Sequence, residues 1–143
     1  MDDLIARAST AIDAPAAEVW HALTDPELIK QYMFGTNVSS NWREGSPITW
    51  EGEWQGAKYR DKGVILRMEP GRLIQYTHFS PLSGAPDLPE NYHTVTVELT
   101  REGAQTRVSL AQDGNQTEEE RDHSAQNWAV TLQGLRKLLE KQP

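Results

Sequence analysis

I-D-A-P-A-A-E-V-W-H-A-L-T-D-P-E-L-I-K-Q-Y, running from Ile12 to Tyr32, decides how the rest of the chain is read. A strand ends at its start. Pro15 sits where a first helical residue would sit, and its missing N–H costs nothing there. Val19, Trp20 and Leu23 then recur at helical spacing. Thr24 and Asp25 offer side-chain oxygens for a second helix start, Pro26 takes its first turn, and Glu27 makes a capping-box pattern with Thr24. One strand and two short helices therefore open the chain.

Working outward, the residues before Ile12 read as a first strand over Leu4–Ile12. After the helices, Ile48, Trp50, Gly52 and Trp54 alternate with Thr49, Glu51 and Glu53, the period of a half-buried strand. Gln55-Gly56-Ala57 makes a turn into Lys58–Glu69, with Val64, Leu66 and Met68 on one face. Glu69-Pro70-Gly71 turns the chain into Arg72–Phe79. Ser80–Asn91 contains Pro81, Gly84, Pro86 and Pro89 and reads as an irregular loop, a mobile lid over a cavity mouth. His93, Val95, Val97 and Leu99 share one face of the next strand. Thr106, Val108 and Leu110 face inward on the last.

The closing element is a helix. Thr117 followed by Glu118, Glu119 and Glu120 caps it and places carboxylates at its positive end. Ala125, Trp128, Leu132, Leu135 and Leu139 form its apolar stripe. About 25 residues make a rod of roughly 37 Å, long enough to cover one face of an antiparallel sheet.

Composition narrows the function. The chain has 143 residues, read as one domain over 1–143, and a formal net charge of −7. Folding a chain of this size buries roughly 68–70% of the surface of its unfolded form. The acidic balance argues against nucleic-acid binding and against electrostatic binding to a membrane surface. No apolar run approaches a membrane span. The N-terminus shows no signal peptide, and there is no cysteine, so disulfides, thiolate nucleophiles and Cys-bound zinc are excluded. A cytoplasmic protein is the expectation. Phosphate-binding glycine loops, a nucleophile elbow and a triad signature are absent.

The order of elements is that of the helix-grip fold. I-x-A-P-x-x-x-V-W at Ile12–Trp20, L-T-D-P-E at Leu23–Glu27 and W-x-x-G-x-x-I-x-W-x-G from Trp42 to Gly52 resemble one branch of the START-like, or SRPBCC, superfamily. D-x-G-x-I from Asp61, R-L-I-Q-Y-T over Arg72–Thr77 and the Trp128–Leu139 helix continue the likeness. That branch is named after activators of the heat-shock protein 90 ATPase, and the short single-domain form resembles its bacterial members. The resemblance implies an α+β, START/Bet v 1-like helix-grip fold. Its curved antiparallel sheet has about six to seven strands, with two short helices and a long C-terminal helix across it. It also implies a cavity between sheet and long helix that takes apolar or aromatic small molecules. A chaperone partner follows only weakly, because Asp2 begins almost at the fold and leaves no room ahead of it for a second domain.

The candidate ligand-binding residues are Trp50, Trp54, Tyr59, Tyr76, His78, His93, Val95, Val97, Val108, Trp128 and Leu132. Large aromatics on inward faces line apolar pockets, though most simply fill volume. His78 and His93 flank the Ser80–Asn91 loop, in phase with Tyr76 and Val95, and should meet near the cavity mouth unless a register slip turns one ring outward. They would anchor a ligand or exchange a proton with it. A metal held by these histidines would need a carboxylate from Asp87 or Glu90, so no metal or other cofactor is expected, and no catalytic residue is assigned. His21 and His123 read as solvated. Three readings follow: a small-molecule binder, a chaperone-modulating interaction module, or a cyclase- or aromatase-like enzyme using His78 or His93 with Tyr76.

Overall fold

The computed structural model describes residues 4–81 and 84–140, and at Trp54 the backbone alone. Strand β1 (Ala6–Ile12) leads into helices α1 (Ala16–Thr24) and α2 (Pro26–Tyr32). Six strands follow: β2 (Asn37–Ser40), β3 (Pro47–Trp54), β4 (Ala57–Glu69), β5 (Leu73–His78), β6 (His93–Glu102) and β7 (Gln105–Gln112). Helix α3 (Glu118–Glu140) closes the chain. The strands form one antiparallel sheet in the order β1-β7-β6-β5-β4-β3-β2. Sequence neighbours pair throughout, except that β1 closes against β7.

Local chemistry explains the helices, with two adjustments. Pro15, with φ −68° and ψ 154°, is the residue before α1 rather than its first residue. Asp25, not Thr24, caps α2: its carboxylate accepts the Glu27 N–H at 2.9 Å. The Thr24 hydroxyl instead bonds back to the Trp20 carbonyl at 3.0 Å, within the end of α1. At α3, Thr117 Oγ1 accepts the Glu120 N–H at 3.0 Å, and the Glu120 carboxylate accepts the Gln116 N–H at 3.1 Å.

The core is formed by the inner faces of the strands: Ile12 on β1, Ile48 and Trp50 on β3, Ile65 on β4, Ile74 and Tyr76 on β5, Val95, Val97 and Leu99 on β6, Val108 and Leu110 on β7. Leu132 and Leu135 of α3 and Val19, Ala22, Ile29 and Tyr32 of the short helices cover them. Helix α3 does not lie centrally over the sheet. It runs chiefly along β1, where the Gln133 side-chain amide donates to Thr10 Oγ1 at 3.3 Å and the Asp13 N–H donates to the Glu140 carboxylate at 2.7 Å. Its N-terminal half therefore leaves the β3–β5 side of the sheet uncovered.

Strand β4 differs from the reading of its sequence. Val64 and Leu66 are outside, 40% and 42% exposed, whereas Gly63 and Ile65 face the core. A bulge between Ile65 and Arg67 inserts one residue against β5 and reverses the phase, so Met68 returns to the core side. Alternation cannot show this, because Val64, Ile65, Leu66 and Met68 are all apolar.

The Ser80–Asn91 loop also differs from a lid. Phe79, buried, alternates to the outer face of the sheet and stacks on Tyr92 with ring centroids 5.0 Å apart. Asp87 pairs with outward-facing Lys62 and accepts the Tyr92 hydroxyl at 2.6 Å. The Asn91 amide donates to the Pro86 carbonyl at 2.8 Å, and Pro89–Asn91 form a short 3-10 turn. The loop packs on the outer face to cover Phe79, and of its described residues only Ser80 borders the cleft. Residues 82–83 lie outside the described residues.

Candidate functional site

The gap left by α3 is a cleft of about 490 Å³. Its aromatic wall is Trp50, Tyr59, Tyr76 and Trp128. Asp61, His78, Ser80, His93 and Gln112 line it on the sheet side, Glu53 of β3 and Ser124, Asn127 and Thr131 of α3 border it as well, and Met33, Phe34 and Thr36 form the lip beyond α2. Phe34, 67% exposed, is the most solvent-exposed large apolar side chain among the described residues.

Trp50 and Tyr76 are the rigid part of the wall. Both are buried, and their rings meet at 5.2 Å with planes tilted by 46°. Tyr59 lies across Gly52, where a Cβ would come 2.5 Å from its hydroxyl. That hydroxyl makes a 2.6 Å hydrogen bond with the Thr36 hydroxyl. The Trp128 indole N–H donates to Gln112 Oε1 at 2.5 Å, tying α3 to the end of β7. Burial pushes the Tyr76 phenol, and likewise that of Tyr32 at the end of α2, far above the usual tyrosine range. Both stay neutral at physiological pH.

His78 and His93 are direct partners in the β5–β6 register, with ring centroids 6.4 Å apart. Each is held by a different acceptor. His78 Nε2 lies 2.9 Å from Asp61 Oδ2, and the ring meets Trp50 in a T-shaped contact with centroids 5.0 Å apart. His93 Nδ1 lies 2.8 Å from the Asp113 carbonyl oxygen. Carboxylates and carbonyls only accept, so Nε2 of His78 and Nδ1 of His93 carry the protons. In the neutral form of either ring the opposite nitrogen is an acceptor, and no described residue bonds to it.

The β7–α3 turn sets the His93 ring. The Asp113 carboxylate accepts the Thr94 N–H at 2.6 Å while its carbonyl takes the His93 ring. Gly114, at φ +75°, tucks under that ring, and a Cβ there would stand 2.9 Å from Nδ1.

Not all the expected lining residues come together. Trp50, Tyr59, Tyr76, His78, His93 and Trp128 border the cleft. Val97 and Leu132 lie deeper, with Trp42, around an apolar gap of only about 50 Å³, room for a few waters. Val95 and Val108 border neither space: both are packed into the core between sheet and helices, a correction to their placement on the cavity wall. The Trp54 side chain lies outside the described residues. His21 is exposed and pairs with Asp25 at 3.1 Å, and His123 is exposed. Among the described residues no three His, Cys, Asp or Glu side chains gather as a metal site, and no helix is long and apolar enough to cross a membrane.

The residue that sequence reasoning passed over is Asp61. Its Oδ1 is buried without a hydrogen-bond partner among the described residues. The signal was its phase: Asp61, Gly63 and Ile65 alternate toward the inside, and a carboxylate among inward residues asks for a partner.

A seven-stranded antiparallel sheet gripping a long C-terminal helix, with a cleft between them, defines the helix-grip class. Within it, the family model described as activator of Hsp90 ATPase homolog 1-like protein matches residues 13–140, and the chain belongs to that family. A Cytophaga hutchinsonii protein solved in solution is 54% identical with a TM-score of 0.87, over 99% of this chain and 97% of that one. CalU16 of Micromonospora echinospora is 23% identical with a TM-score of 0.74, over 99% and 85%. The Aha1 dimer of Colwellia psychrerythraea gives 21%, 0.73, and coverage of 95% and 96%. No curated protein matches the chain.

Proposed function

We propose that this protein binds a small aromatic or amphipathic molecule in the cleft between sheet and α3. The observation that carries the reading is the cleft of about 490 Å³ with an aromatic wall and the Asp61, His78 and His93 side chains clustered on it. That size lies within the range of ligand pockets, roughly 300–1,000 Å³, which combine apolar and aromatic walls with placed polar groups. The ring of the ligand would lie against Trp50, Tyr76 and Trp128. A polar substituent would reach His78 and His93.

Titration with 2-naphthol, a neutral aromatic alcohol, tests this through tryptophan fluorescence. Saturable quenching is expected, and substituting Trp128 with Leu should weaken it. Native mass spectrometry of the freshly purified protein should in addition show a retained small molecule where one is present in the host. Linear, unsaturable quenching that is indifferent to Trp128→Leu would refute the reading. The family description also makes a chaperone ATPase the natural second assay. Stimulation of that ATPase, unaffected by filling the cleft, would favour an interaction module instead.

A further inference from the structure

We infer that the cleft is also a proton-transfer site, with His78 as general base and Asp61 as the residue that positions it. This rests on the ligand-binding reading and extends it to substrates that bear an acidic C–H next to an aromatic ring or carbonyl. The juxtaposition is specific. Asp61 Oδ2 holds His78 Nε2–H at 2.9 Å. The Asp61 side chain is 15% exposed and that of His78 29%, so the pair is sheltered yet open on the cleft side. Fixing the proton on Nε2 leaves Nδ1 as the base, and no described residue occupies it. A carboxylate behind an imidazole selects its tautomer and steadies the imidazolium formed when the ring takes a proton.

The surroundings fit that role. Trp50 packs against the His78 ring with centroids 5.0 Å apart and planes at 69°, which restrains its rotation. Burial keeps the Tyr76 phenol protonated, so it can donate to an oxygen on which negative charge develops. His93, held by the Asp113 carbonyl, stands across the strand pair as a second imidazole.

The probe is 5-nitrobenzisoxazole, a flat aromatic whose only demand is a base. His78 Nδ1 would take the proton on C3. The C–H electron pair becomes the new C–N π bond of a nitrile, the N–O bond breaks, and the oxygen leaves with its pair as a coloured phenolate. The proton on the imidazolium then passes to water. No oxidant or cofactor is needed.

The wild-type protein should show saturable turnover about a hundredfold above free imidazole at the same concentration, within the usual contribution of general-base catalysis. His78→Gln keeps bulk and polarity but not the base, and should remove the saturable rate while circular dichroism stays native. Asp61→Asn should lower kcat about tenfold with KM unchanged, which a purely structural role would not do. A wild-type rate no greater than that of imidazole, or a His78→Gln variant that keeps its rate, overturns the inference. If 2-naphthol still saturates in that case, the binding reading stands and proton transfer alone fails. If neither probe engages the cleft, both fail.

Discussion

Replacing Gly63 with alanine isolates how β4 is seated beside the site. Gly63 lies in β4 with its α-carbon against β5: a Cβ there would stand 1.7 Å from the Thr77 carbonyl oxygen and 2.6 Å from its carbon. These are backbone atoms, so nothing flexible can swing aside. The strands must part locally. The contacts at stake are the paired bonds between Lys62 and Phe79, at 3.0 and 2.8 Å, and the Val64 N–H to Thr77 Oγ1 bond at 2.9 Å. Overpacking a close contact costs about 1–3 kcal/mol, and each hydrogen bond lost adds about 0.5–1.5. Against this, alanine restricts the unfolded chain and returns about 0.4–1 kcal/mol. The net loss should be about 2–4 kcal/mol, or roughly 10 °C in Tm for a domain of this size. Urea unfolding followed by circular dichroism measures it. Because Asp61 is two residues away and His78 next to Thr77, the 2-naphthol affinity should fall with it. The sign is the decisive part: without the clash the same substitution would stabilise the protein, so an unchanged or raised unfolding midpoint would refute the close approach of the two strands.

Other outcomes follow from the packing. Trp128→Ala should cost about 2–3 kcal/mol by thermal unfolding, below the roughly 3–5 of a fully buried tryptophan, because the indole is half-buried. Asp25→Ala should cost about 1 kcal/mol through loss of the α2 cap, while Thr24→Ala should cost less, as urea midpoints of the two variants would show. Tyr32 and Tyr76 keep their protons in the folded state above pH 10, where the unfolded chain releases them. The folded state then binds more protons, so stability is full below about pH 10 and falls by about 1.4 kcal/mol per pH unit for each as pH rises further. Tyrosinate absorbance should accordingly show two of the four tyrosines ionising only with unfolding. All four titrating together in a native protein would contradict their burial. Gly114→Ala should strain the left-handed turn by about 1–2 kcal/mol and displace the His93 ring, seen as a shift of its imidazole NMR signals.

Much of this molecule is written in local patterns. The alternation of His93, Val95, Val97 and Leu99, and of Thr106, Val108 and Leu110, assigns the inner faces of β6 and β7, because a strand turns every second side chain the same way. The hairpin arithmetic between His78 and His93 places them opposite each other for the same reason. Pro26 after Asp25, Thr117 before three glutamates and the stripe from Ala125 to Leu139 mark the helices through caps and period.

What local pattern cannot carry is anything that depends on the meeting of distant segments. The bulge at Ile65–Arg67 is a compromise between two strands, invisible in a run of apolar residues, and it turns Val64 and Leu66 outward. Phe79 draws the proline-rich loop to the outer face because a buried aromatic there needs cover, which only the assembled sheet reveals. Asp61 reaches His78 across seventeen positions of chain. The cleft itself exists because α3 docks along β1 and leaves the β3–β5 side bare. Period and capping act over a few residues and were readable from the chain. The alternation placed Tyr76, His78 and His93 on one face, but the cleft around them and the Asp61 contact come from strand register and helix docking, which only the tertiary structure decided.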